Sequence, residues 1–137
     1  MPSDPRSPRQ SIASITVLVD DCDAAIAYYT DVLGFDLVED TATSPTARRV
    51  LVAPPGSREA RLRLAPATTD EQRALVGRQA GGSVLFVLQT RDFAADYRRL
   101  AGRGVPFDGG PRAEPLGWTA VFVDRYGNRW ELVERPA

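Results

Sequence analysis

The same order of elements is legible twice along this chain, and that repetition constrains the fold more than any single motif. Ile12, Ile15, Val17 and Val19 carry the apolar spacing of a strand, and Asp20-Asp21 then offers a cap for Asp23-Ala24-Ala25-Ile26-Ala27-Tyr28-Tyr29, an alanine-rich helix that Gly34 stops. Phe35-Asp36-Leu37-Val38, Arg49-Val50-Leu51-Val52 and Ala60-Arg61-Leu62-Arg63-Leu64 read as three strands, with Pro54-Pro55-Gly56 as a turn before the last. The second half repeats the order. Val84–Leu88 is a strand, Asp92 caps a helix through Tyr97 and Leu100, and Gly102 and Gly104 end it. Val105-Pro106-Phe107 and Thr119–Val123 read as strands separated by a turn-rich stretch, and Tyr126-Gly127-Asn128 turns the chain into a final strand, Arg129–Val133. The two helix caps, Asp21 and Asp92, stand roughly 70 residues apart, so the repeat unit is βαβββ.

Two such units predict one α+β domain over residues 11–137, with module one at 11–66, a connecting helix within 67–80 and module two at 81–135. Thr68 and Thr69, followed three residues on by Glu71 and Gln72, supply the capping-box pattern that starts the connecting helix. Residues 1–10, with Pro2, Pro5 and Pro8 and no periodicity, read as a disordered tail. The whole chain is 137 residues, which leaves no room for a second conventional domain.

What the chain lacks narrows its chemistry. All 17 basic residues are arginine, and there is neither lysine nor histidine. A lysine Schiff base, a P-loop lysine, a Ser-His-Asp or Cys-His pair and any imidazole metal site are thereby excluded within one chain. Cys22 is alone, so no internal disulfide and no multi-thiolate zinc site can form. A net charge of −1, with both signs spread along the sequence, gives no footprint for nucleic acid or an anionic membrane. With no long apolar run and no apolar signal core near Met1, the expected location is the cytoplasm.

Each module ends in an apolar-charged-apolar strand, Leu62-Arg63-Leu64 and Trp130-Glu131-Leu132. Strand alternation puts both charges on the face away from the helices.

Val19-Asp20-Asp21 leading into Ala25-Ile26-Ala27-Tyr28-Tyr29-Thr30-Asp31-Val32-Leu33-Gly34-Phe35 is similar to the first helix of the vicinal oxygen chelate superfamily, the glyoxalase, bleomycin-resistance and extradiol-dioxygenase group. Phe122-Val123-Asp124-Arg125-Tyr126-Gly127-Asn128-Arg129-Trp130-Glu131-Leu132 resembles its closing motif. The resemblance covers residues 12–134. It implies tandem modules forming a curled mixed sheet, or cup, with helices outside, ligand inside, and commonly a homodimer that completes the cups across a twofold interface. In metal-dependent members two ligands come from each module. The matching positions here are Ser14, Arg63, Leu85 or Ser83, and Glu131, so only one keeps a ligand, and no metal or other cofactor is expected.

Glu131 is the candidate catalytic residue, as a general base if its pKa were raised, or alternatively one half of an ion pair with Arg63 across the modules. Arg49, Arg61 and Arg63 are candidates for holding an anionic group, the ordinary case for such arginines being solvated strand residues. Ser14 and Thr16 should share the inward face of the first strand as pocket hydroxyls or small fillers. Trp118 and Phe122, with Phe107, offer either an aromatic wall or core packing. Tyr28 and Tyr29 are assigned to packing, and Cys22 to an inert thiol. The functional expectation is metal-independent binding of a small organic ligand, anionic or aromatic, of the sequestering or drug-resistance type. The alternatives are a related lyase, isomerase or dioxygenase using Glu131, and a non-catalytic interaction module.

Overall fold

Asp21 fixes where the first helix begins, because its carboxylate accepts from the Ala24 backbone N–H at 2.8 Å and so satisfies one of the free donors of the first turn. The computed structural model describes residues 8–135. In it α1 runs Cys22–Ala27 and widens into a π-helical turn over Tyr28–Val32. Around it lie β1 (Ser14–Val19), β2 (Asp36–Ser44), β3 (Ala47–Ala53) and β4 (Arg61–Pro66). After α2 (Asp70–Leu75) come β5 (Val84–Thr90), α3 (Phe93–Gly102), β6 (Phe107–Glu114), β7 (Gly117–Val123) and β8 (Arg129–Glu134). Most of the 1–10 tail lies outside the described residues.

Each module makes its own four-stranded sheet, in the orders β1-β4-β3-β2 and β5-β8-β7-β6. The first and last strands of a module run parallel, Thr16 beside Arg63 in one and Val87 beside Glu131 in the other, while the remaining pairs are antiparallel. The expected βαβββ repeat is therefore present, as two mixed sheets. β2 and β6 are longer than their sequences suggest. Both are exposed ribbons with register irregularities, so they lack the alternation that marks a half-buried strand, and the strand that begins at Phe107 runs on to Glu114 through residues whose sequence reads as turns.

The apolar faces of both sheets meet one core. Val17, Val19, Val50, Val52, Leu62 and Leu64 from the first sheet join Ala120, Phe122, Trp130 and Leu132 from the second, with Ala25, Tyr29, Phe93 and Leu100 from the helices. Trp130 is its aromatic hub, 5.6 Å from the Phe35 ring, 4.7 Å from Phe86 and stacked at 11° on Phe122.

Polar contacts tie the halves together. Arg99 donates to the Leu33 carbonyl at 3.2 Å and Arg103 to the Val32 carbonyl at 3.0 Å, satisfying the end of the π-helical turn. The connecting segment is anchored at both ends. Thr69 accepts from Gln72 N–H at 3.1 Å, and Gln72 in return accepts from Thr68 N–H at 2.8 Å. Farther on, Gln79 accepts from Leu18 N–H at 2.9 Å and donates to Thr16 O at 3.0 Å, a side-chain amide standing in for a neighbouring strand on the free edge of β1. Gly77, at φ +75°, lies so close to the turn after β7 that an added Cβ would fall 1.7 Å from the Tyr126 carbonyl oxygen.

Candidate functional site

Alternation along the paired strands sorts the candidate residues by face. In the first sheet Ser14 lies beside Arg61 and Thr16 beside Arg63, with Leu51 across from Arg63 and Thr41 across from Arg49. All of these share the face opposite the core, so Ser14, Thr16, Arg49, Arg61 and Arg63 are brought onto one surface. Thr16, Arg49 and Arg63 are exposed and Ser14 and Arg61 half-buried. Arg49 reaches Glu39 at 3.5 Å, and Arg61 donates to the Glu59 carbonyl.

In the second sheet the corresponding face carries Val87 and Gln89 from β5, Glu131 and Val133 from β8, and Thr119 and Val121 from β7, with Arg112 of β6 opposite Thr119. A cavity of about 350 Å³ lies against it, within the size range of small-ligand sites. Its polar lining is Arg112, Glu114, Thr119, Glu131 and Arg135, and Leu116 and Val133 are among its apolar walls. Glu131 is half-buried and has no ion partner among the described residues. Thr119 is 6% exposed, and its hydroxyl has no hydrogen-bond partner there either.

Two expectations are corrected. Arg63 and Glu131 do not pair: they lie on different sheets, Arg63 is exposed, and among the described residues the lining of the cavity at Glu131 comes from residues 112–135. Phe122 offers no ligand wall, because it is fully buried on the helix side between Trp130 and Phe107. Trp118 follows the same alternation as Phe122 but sits at the start of β7, 47% exposed, and borders the cavity at its rim.

Two further residues carry no functional mark in the sequence. Thr119 reads there only as the start of a strand, and its place opposite Arg112 follows only from the register of the irregular β6. Asp124, read as part of a motif, is the buried polar centre of the molecule. One carboxylate oxygen accepts from Tyr29 Oη at 2.7 Å, Trp130 Nε1 at 3.0 Å and Asn128 Nδ2 at 3.1 Å, and the other accepts from the backbone N–H groups of Tyr126 and Asn128 at 2.9 and 3.0 Å. Burial first, and the Asp124 charge next, push the Tyr29 hydroxyl well above its ordinary pKa, so it stays a donor. The Cys22 thiol is likewise raised, chiefly by burial, which keeps it unreactive.

A family model described as the glyoxalase/bleomycin resistance protein/dioxygenase superfamily matches residues 11–132. The chain belongs to this superfamily. Among its relatives is an uncharacterized protein of Shewanella frigidimarina, 44% identical over 127 residues that span 92% of this chain and 94% of that one. The crystal structure of UcmS2 superimposes with a TM-score of 0.78 at 30% identity, covering 92% and 98% of the two chains. TnmS3, an antibiotic binding protein from Streptomyces sp. CB03234, does so at 0.72 and 31% identity, covering 96% and 100%.

The metal that some superfamily members carry does not fit the side chains here. Among the described residues no three His, Cys, Asp or Glu side chains converge, and the positions that match the metal ligands hold a hydroxyl at Ser14, a guanidinium at Arg63 and either Leu85 or Ser83, which leaves Glu131 as the one carboxylate.

Proposed function

We propose that this chain binds a small organic molecule, without a metal, on the inward face around Glu131, as a sequestering protein of the antibiotic-binding kind. The observation that carries the reading is the composition of that face among the described residues: a carboxylate without an ion partner, a buried hydroxyl and guanidinium groups around a cavity, with no convergent metal donors. The likeness to TnmS3 over nearly the full length of both chains supports it. A thermal-shift screen of organic acids and aromatic antibiotics, with elemental analysis of the purified protein, tests it. A specific ligand and no stoichiometric metal are expected. One tightly held zinc, nickel, iron or manganese per chain would overturn metal independence.

Assembly belongs to the same reading. Ile15 on β1 and Val87 on β5 are 41% and 60% exposed on strands that sit at the edges of their sheets, and Ile12 just ahead of β1 is 70% exposed. A second copy laid along these edges would cover them and join the inward face of one module to that of the other, so a homodimer is expected in the cytoplasm. Sedimentation as a monomer at micromolar concentration would count against it. An enzymatic reading keeps one specific support, that Glu131 is half-buried and free of an ion partner among the described residues. Turnover of an enolisable substrate, abolished by Glu131→Gln, would establish it.

A further inference from the structure

The charges around the Glu131 cavity are balanced, and that balance says which ligand it suits. Among the described residues two guanidinium groups, Arg112 and Arg135, and two carboxylates, Glu114 and Glu131, line the same cavity. None of the four belongs to an ion pair among the described residues. A simple anion would satisfy the arginines and be repelled by the carboxylates, and a simple cation the reverse. The buried hydroxyl between them points the same way. Thr119 Oγ1 has no hydrogen-bond partner among the described residues, is buried in the cavity lining, and is able both to donate and to accept. It lies directly across from Arg112 and one diagonal step from Glu131, a spacing of about 7–8 Å between such positions in antiparallel strands. Arg112 and Glu131 stand on the strands either side of Thr119, and their side chains are long enough to meet the two ends of a small ligand held over it.

From this we infer that the cavity recognises a zwitterion of the amino-acid type, its carboxylate against Arg112 and Thr119, its ammonium against Glu131, and its apolar side group along Val133, Leu116 and the Trp118 rim. The inference rests on the proposed binding function and deepens it by naming the ligand class. Carboxylate recognition by a guanidinium takes paired hydrogen bonds, and the ammonium meets the carboxylate as a charge-assisted donor. Arg135, at the end of β8, donates to the Glu134 carbonyl at 3.2 Å and is thereby held at the cavity margin.

Three probes that share one ring and differ only in charge test it: L-phenylalanine, 3-phenylpropionate and 2-phenylethylamine, titrated into the full chain by calorimetry at pH 7. The zwitterion should bind tighter than either truncated probe by about tenfold or more, one charge-assisted contact being worth that much. Arg112→Gln should bring L-phenylalanine down to the affinity of the amine, and Glu131→Gln down to that of the acid. Thr119→Val, which keeps the shape and removes the hydroxyl, should weaken the zwitterion and the acid and leave the amine unchanged. Equal binding of all three probes, or tightest binding of the acid or the amine, overturns the inference. If none of the three binds while an aromatic antibiotic does, the zwitterion assignment fails and the sequestering function stands. If no small molecule of any class binds, both fail.

Discussion

Replacing Tyr29 by phenylalanine removes one atom from the core, and the structure says what it should cost. The lost hydroxyl donates to Asp124 at 2.7 Å, inside a site where Asp124 is 4% exposed and Tyr29 fully buried. A hydrogen bond to a charged acceptor contributes about 1.5–3 kcal/mol, and here the carboxylate keeps four other donors, so the lower half of that range is expected. Asp124→Ala is the harsher change. It strands the Tyr29 hydroxyl, the Trp130 indole N–H and the Asn128 amide together, each at about 1–3 kcal/mol, softened where water can enter. Urea unfolding followed by tryptophan fluorescence, in which the buried Trp130 and the half-exposed Trp118 both report, is the assay. With a slope of about 1–3 kcal/mol per molar urea, Tyr29→Phe should lower the midpoint by roughly 1 M. In the Asp124→Ala background the same substitution should cost much less, or nothing. Full additivity in that cycle would mean the tyrosine contributes only as an aromatic ring, and the hydrogen-bonded centre would lose its assigned role.

The remaining expectations concern other parts of the chain. Gly77→Ala should destabilise by more than about 2 kcal/mol, read as a fall in Tm, since the new methyl meets the Tyr126 carbonyl and the residue must hold φ +75°. Arg63→Ala should change monomer stability by less than about 0.5 kcal/mol, because the side chain is exposed and makes no ion pair among the described residues. Gln79→Ala should expose the edge of β1, losing about 1–2 kcal/mol and quickening amide exchange at Leu18. Stability should also fall in alkali: burial raises the pKa of Tyr29, of Tyr126 and of Tyr28, the last up to about 12, against an ordinary value of 10.0. Above pH 10 the unfolded chain releases those protons and the native one keeps them, so native stability is full below that pH and declines as pH rises through the raised values. Urea midpoints measured from pH 8 to 11 should be flat and then drop.

The periodic parts of the chain were the legible ones. Val17 and Val19, Leu62 and Leu64, Trp130 and Leu132 sit on the core face because alternation fixes one side of a strand once the other is charged. Asp21, Thr69 and Asp92 cap helices as their chemistry requires. The ribbons β2 and β6 escaped because two solvated faces impose no pattern, and with β6 went the register that sets Arg112 beside Thr119. The pairing of Arg63 with Glu131 failed for another reason. Alternation gives the face of each strand but not how two sheets are set against each other, and here the two charges lie on separate sheets. Phe122 shows the same limit: its face follows from its place between Val121 and Val123, but an aromatic residue suits a core and a ligand wall alike.

The order in which contacts can form is written into the topology. Each sheet closes within its own module, the most distant pairings in the first being those of β1 with β4, from Ser14–Arg61 to Val19–Pro66, all at one separation. The Tyr29–Asp124 bond joins groups 95 residues apart and has meaning only when both sheets exist. Closing so long a loop before the sheets are built would forfeit chain entropy with little return, so this contact belongs to the descent after the folding barrier. Its loss should therefore leave the refolding rate almost unchanged and appear nearly entirely as faster unfolding. The buried carboxylate would then act as a latch on the finished molecule, setting how long the two halves stay together once joined.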